Sequence, residues 1–228
     1  MIADNLAHIL ERIHDAAIRV GRAPHDVRVV AAAKGQGREK IQQAIQAGIR
    51  IIGHNYIQEA VEEAAPQGDP HVETHMIGHL QKNKAGKAIE LFDVIQTLDD
   101  PKLALILDRR AASAGRIIKV MVQVNLAREP QKSGVAEENL DELISTIRNM
   151  PALRLIGMMT MPPFFDDPDR ARPFFAGLRK LREKLIQAGM PAQEMKELSM
   201  GMTGDFEAAV EEGATLVRIG TALFGPRT

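Results

Sequence analysis

The chain has 228 residues, 45% hydrophobic and 26% charged, with a formal net charge of -1. This is the composition of a folded globular protein long enough to bury a sizeable core, and its balanced charge removes the electrostatic basis for a nucleic-acid partner. The absence of cysteine excludes disulfides and thiolate metal sites.

The first element expected is an amphipathic helix. Leu6, Ile9, Leu10, Ile13, Ala17 and Val20 recur at three- and four-residue steps, and Gly21 and Pro24 then stop the pattern. Asp4, Glu11 and Asp15 interrupt this segment, so it lacks the apolar run of a signal peptide, and no stretch is long and apolar enough to span a bilayer. A cytoplasmic protein with no membrane partner is the expectation. After the helix, short apolar runs alternate with helical ones. The runs are 27–34 (VRVVAAAK), 49–55, 71–78, 93–98, 116–126 (RIIKVMVQVNL), 153–161, 197–202 and 215–224 (TLVRIGTALF). Helical stretches follow at Ile41 to Ile45, from Tyr56, from Leu80 to Leu91, after Pro101, from Glu137, from Asp169 to Ala188 and from Thr203.

Eight strand-like runs separated by helices predict parallel βαβ units. The expected fold class is therefore α/β: a single (β/α)8 TIM-type barrel, preceded by the N-terminal helix, in one domain over 1–228. A doubly wound open sheet is the competitor, but Lys34-Gly35-Gln36-Gly37 is not its glycine fingerprint.

In such barrels chemistry gathers at the C-terminal ends of the strands. Lys34, Asn55, Gly78, Asn125, Thr160, Ser199, Met202, Arg218, Gly220 and Thr221 end the runs. A lysine at the mouth of a barrel can attack a carbonyl through its neutral amine to form a Schiff base. Segment 198–203 (LSMGMT) reads as a strand end leading into a helix start, and Arg218-Ile219-Gly220-Thr221 ends the last strand. Loops after strands seven and eight are a frequent phosphate site in barrels, because small residues and a helix N-terminus offer backbone N–H groups to an anion. Ser199 and Thr221 add hydroxyl donors, while Gly201 and Gly220 permit close approach. The bland alternatives are a strand-end lysine and two ordinary glycine turns.

These segments are also recognisable. AAAK at 31–34, GHNYIQEA at 53–60, THMIGHLQKNK at 74–84, QVNLAREPQKSG at 123–134, GMMTM at 157–161 and LSMGMTGDFEAAVEEGATLVRIGTALFG at 198–225 resemble the pyridoxal 5′-phosphate (PLP) homeostasis proteins, single-domain relatives of the alanine racemase barrel. The resemblance implies PLP as the cofactor, an aldimine on Lys34, and a phosphate cradle that includes Ser199, Gly220 and Thr221. It also implies that Arg218 faces the pyridine nitrogen. Asn55 and Met202 complete the expected cofactor-binding set, with no catalytic residue and no metal ligand. Two departures stand out: His54 replaces a usual glutamate, and Gly35-Gln36-Gly37 replaces a pair ending in proline. The implied function is PLP storage, protection or delivery by a monomer, with apo PLP-dependent enzymes as recipients. The alternatives are a PLP enzyme acting on amino acids, such as a racemase, and a Schiff-base aldolase. The chain's end at Thr228, soon after the eighth run, argues against a racemase-type C-terminal domain. Tyr56, the sole tyrosine, is expected to pack away from the cofactor.

His71, His75 and His79 read as structural or surface residues, the methionines 158, 159, 161, 200 and 202 as barrel filling, and Asp166, Asp167 and Asp169 as caps of the long helix. Lys82, Lys84 and Lys87 read as a solvated face. Lys132 is either a loop lysine or a lining residue of the route to the site.

Overall fold

The computed structural model describes residues 1–62, 71–129 and 131–226. Helix α1 (Ile2–Arg19) leads into β1 (Arg28–Ala32), α2 (Arg38–Gln46), β2 (Ile51–His54), α3 (Ile57–Glu62), β3 (Glu73–Met76), α4 (Ala85–Leu91), β4 (Val94–Leu98) and α5 (Pro101–Ser113). Then come β5 (Ile118–Gln123), α6 (Leu140–Arg148), β6 (Leu153–Met159), α7 (Arg172–Gln187), β7 (Glu197–Met202), α8 (Phe206–Glu211), β8 (Leu216–Ile219) and α9 (Thr221–Phe224). All strand pairs are parallel, and β8 pairs with β1 to close the barrel. The expected α/β barrel with a leading helix is the observed architecture.

The strands read as continuous apolar runs because both of their faces are covered. Outward residues such as Val29, Ala31, Ile52, Ile95, Val122 and Val217 pack with the helices in one cluster. Inward residues Val30, Ile51, Ile77, Val94, Met121 and Leu216 form a second, separate cluster inside the barrel. Alternate strands contribute alternate layers of this interior. The lowest layer is charged and comes from the odd strands: Arg28, Glu73, Lys119 and Glu197. Arg28 meets Glu197 at 2.7 Å and Glu73 at 3.7 Å, and Lys119 meets Glu73 at 2.6 Å. Charges of alternating sign thus floor the barrel.

α1 lies against α2, α8 and α9, covering the seam where β8 meets β1. Its buried residues are Ile2, Leu6, Ile9, Ile13, Ala16 and Ala17. Leu10 and Val20, expected on that face, are 48% and 44% exposed. Arg12 locks the helix in place, pairing with Glu207 at 2.7 Å and lying 4.6 Å from the centre of the Phe206 ring.

Several boundaries differ from expectation, and two of them bear on the site. The eighth strand stops at Ile219, and Thr221–Phe224 is helical: Leu223 and Phe224 both donate backbone N–H groups to the Gly220 carbonyl, at 2.9 and 3.0 Å. The apolar run hid this break, because Leu223 and Phe224 are buried in either conformation. Lys82–Lys84 forms a 3₁₀ turn, so the helix expected from Leu80 begins at Ala85.

Candidate functional site

Lys34 lies two residues beyond β1, in a turn closed by the Gln36 N–H donating to the Ala33 carbonyl at 2.8 Å. Gly35 follows it with φ +68°, a left-handed conformation that glycine adopts without strain. Lys34 is half-buried and, among the described residues, has no ion pair or hydrogen bond. Its Nζ sits 5.3 Å from the centre of the Tyr56 ring. Tyr56 was expected to pack away, but it is 52% exposed and stands beside Lys34. It begins the segment after β2, where no apolar layer covers it.

On the neighbouring strand β8, which pairs with β1, stands Arg218, only 5% exposed. Its Nη1 donates to Ser199 Oγ at 2.7 Å and its Nη2 to the Thr160 carbonyl at 2.9 Å. Burial pushes the guanidinium down to about 10, opposed by the charge of Asp205, so Arg218 remains a cation near neutrality. A guanidinium has five N–H donors and no acceptor, so donors remain for a further acceptor at the mouth. Asp205 is itself pushed up by burial, and its Oδ1 accepts from the Met202 N–H at 2.6 Å. Met202 is half-buried and stands level with Arg218 in the β7–β8 register.

The structure does not bring Ser199 to the phosphate cradle expected for it. Ser199 is fully buried, and its hydroxyl is engaged by Arg218 and by Gln96 Oε1 at 2.6 Å. Strand alternation explains this: residue 199 points into the barrel below the mouth. The hydroxyl that reaches the mouth from this segment is Thr203, whose Oγ1 accepts from the Ala222 N–H at 3.4 Å. Thr203 therefore adjoins Gly220, Thr221 and the start of α9, where the Thr221 and Ala222 N–H groups lack intrahelical partners while those of Leu223 and Phe224 are bonded to Gly220. Gly201, with φ +89°, sets the turn before it, and a Cβ there would sit 2.5 Å from Ala209 Cβ of α8. At Gly220 an added Cβ would meet only Ala32, at 3.6 Å and beyond.

Asn55 is half-buried and borders a rim cavity of about 310 Å³ shared with Tyr56, Gly78 and Lys84. Asn125 organises the loop after β5, donating to the Glu129 and Lys132 carbonyls at 2.9 and 3.2 Å. Lys132 pairs with Glu129 at 3.4 Å. Thr160 uses its hydroxyl on the Val124 carbonyl, at 2.9 Å. His54 packs toward the helices, 6.1 Å from the Phe92 ring centre, so this departure from the resemblance lies away from the mouth. His75 is inside the barrel, whereas His71 and His79 are exposed. Lys82 and Lys87 are tied to Asp100 and Glu90. Asp167 caps the turn before α7 through the Asp169 N–H at 3.1 Å. Gln96 was not anticipated: it is fully buried in a run that reads as apolar, and only its inward register marks it. A cavity of about 850 Å³ runs along α6 and the end of α7 and includes none of the mouth residues.

Comparison with known proteins matches residues 3–228 to the family model of the alanine racemase N-terminal domain. The pyridoxal phosphate homeostasis protein of Aquifex aeolicus is 38% identical, over 98% of this chain and 97% of its own length. That of Escherichia coli is 36% identical, over 99% and 97%. Among solved structures, PipY of Synechococcus elongatus with PLP bound superposes with a TM-score of 0.85 at 34% identity, covering 99% of this chain and all of PipY. An alanine racemase of Clostridium difficile shares the fold, with a TM-score of 0.73 at 18% identity, this chain spanning 56% of it.

Proposed function

The chain belongs to the pyridoxal phosphate homeostasis proteins, and we propose that it holds PLP on Lys34 at the barrel mouth and releases it to apo PLP-dependent enzymes. The proposal includes a monomeric, cytoplasmic protein. Bound PLP supplies an aldehyde that condenses reversibly with an amine and a ring that withdraws electrons. The residues present suit it. Lys34 offers an amine with no ionic partner among the described residues. Thr203, Thr221, Gly220 and the first turn of α9 offer hydroxyl and N–H donors to the phosphate, which favours a helix N-terminus. Asn55 and Met202 would flank the ring. Ser199 serves from behind, through Arg218.

The observation that carries the reading is Arg218. Arg218 is a buried, donor-only guanidinium; placed opposite the ring nitrogen, as the family resemblance implies, it would keep that nitrogen unprotonated. A ring in that state is a weak electron sink, which favours holding the cofactor over stabilising carbanions. Tyr56 beside Lys34 is the one feature that suits the alternative, a racemase using a second acid/base group.

The test is transfer. Protein loaded with PLP is freed of excess cofactor and mixed with an apo-enzyme in the presence of a trap for free PLP. The reading expects activation of the recipient by the parent protein and none by Lys34→Ala. Activation that the trap abolishes would refute delivery. Lys34-dependent racemisation of alanine at roughly 1 per second or more, an ordinary enzymatic rate, would instead establish the racemase.

A further inference from the structure

A chain of hydrogen bonds crosses the barrel interior from Arg218 to His75, whose far nitrogen borders the charged floor without a hydrogen bond to it. Arg218 Nη1 lies 2.7 Å from Ser199 Oγ, which lies 2.6 Å from Gln96 Oε1. Gln96 Nε2 lies 2.7 Å from His75 Nδ1, and His75 Nε2 lies 3.5 Å from Glu73 Oε2. Ser199, Gln96 and His75 are each at most 1% exposed.

Each link has one allowed sense. Arginine can only donate, so Ser199 Oγ accepts from it and sends its own proton to Gln96 Oε1. That fixes the amide: its NH₂ faces His75 and requires a bare Nδ1. The imidazole proton then sits on Nε2, toward Glu73. Reversing Gln96 would aim its NH₂ at a serine oxygen already accepting from Arg218. The serine proton would lose its only bonded acceptor among the described residues, at a cost typical of a buried unsatisfied polar group. Burial pushes the His75 pKa down, in agreement with a neutral ring.

We propose that Ser199 and Gln96 are positioning residues that seat Arg218, and that the donor-only guanidinium locks His75 as the neutral Nε2–H tautomer. The mouth and the floor of the barrel then share one polar relay. Its bearing on PLP rests on the assignment of Arg218 to the ring nitrogen, whereas the tautomer does not.

The first measurement therefore uses the protein without PLP. In ¹⁵N-histidine NMR, with His75 identified by its loss in His75→Asn, the parent shows a bare Nδ1 and a protonated Nε2. Gln96→Glu keeps the size and the serine bond but turns an acceptor toward Nδ1, so Nδ1 becomes protonated. A protonated Nδ1 in the parent, or a bare one in Gln96→Glu, overturns the relay. The second measurement is PLP titration of Gln96→Leu, with thermal unfolding to confirm its fold. Losing the fixed seat of Arg218 weakens PLP roughly tenfold and alters the absorbance of the bound cofactor. Parent-like affinity and absorbance in a folded Gln96→Leu overturn the positioning role. Failure of the cofactor assignment is separately visible, as parent-like PLP affinity in Lys34→Ala with the His75 tautomer unchanged.

Discussion

Two hydroxyls four residues apart do different work. Ser199 sits inside the barrel and braces Arg218, while Thr203 stands at the mouth beside the first turn of α9. Hydrogen bonds to charged groups are worth about 1.5–3 kcal/mol each. Thr203→Val combined with Thr221→Ala removes two such donors, so PLP is held at least about tenfold less tightly in titration. An unchanged affinity would place the phosphate elsewhere. The sequence expectation placed a cradle hydroxyl at Ser199, which the structure buries against Arg218 and Gln96, while Thr203 is the hydroxyl of this segment at the mouth. The period-two alternation of β7, which turns residue 199 inward, was sufficient to assign it. Lys34 and Arg218 were legible because each charge ends or interrupts an apolar strand. Gln96 was not, since a lone glutamine gains a role only through Ser199 and His75, 103 and 21 residues away in the chain.

Among the elements, the odd strands tie their lower ends together through charge. The carboxyl of Glu73 is held down to about 2, chiefly by the nearby His75 and then by Lys119, with burial opposing. A folded value below the unfolded one favours the ionised form. The stabilisation is therefore full above the ordinary 4.5 and is lost as pH falls through the range from 4.5 to about 2. A neutral His75 and a side chain one-third exposed reduce the contribution to about 1–2 kcal/mol. Glu73→Gln lowers stability by that amount at pH 7, measured by urea unfolding, and the gap to the parent narrows toward pH 2. A gap of the same size at every pH would trace the loss to packing and not to charge. The strands themselves were legible as apolar runs, and the leading helix as a three-and-four periodicity. The end of β8 was not, because periodicity carries no information on where a run that is buried throughout changes its backbone. The face of α1 was misjudged at two positions: Leu10 is mid-helix but exposed, and Val20 already lies beyond the helix.

The closed barrel brings distant segments to one mouth: Lys34 from the first unit, Thr203 and Arg218 from the last two. Barrel closure, with β8 paired to β1, makes the first and last units neighbours. The central claim is that this mouth holds PLP covalently through Lys34, the lysine there without an ionic partner among the described residues. Lys82 and Lys132, by contrast, are paired with Asp100 and Glu129. The most direct measurement is mass spectrometry of peptides from PLP-loaded protein reduced with borohydride. The account expects one pyridoxyl group per chain, on the peptide containing Lys34 and absent from Lys34→Ala. An adduct confined to another lysine, such as Lys82 or Lys132, or no adduct at all, would contradict it.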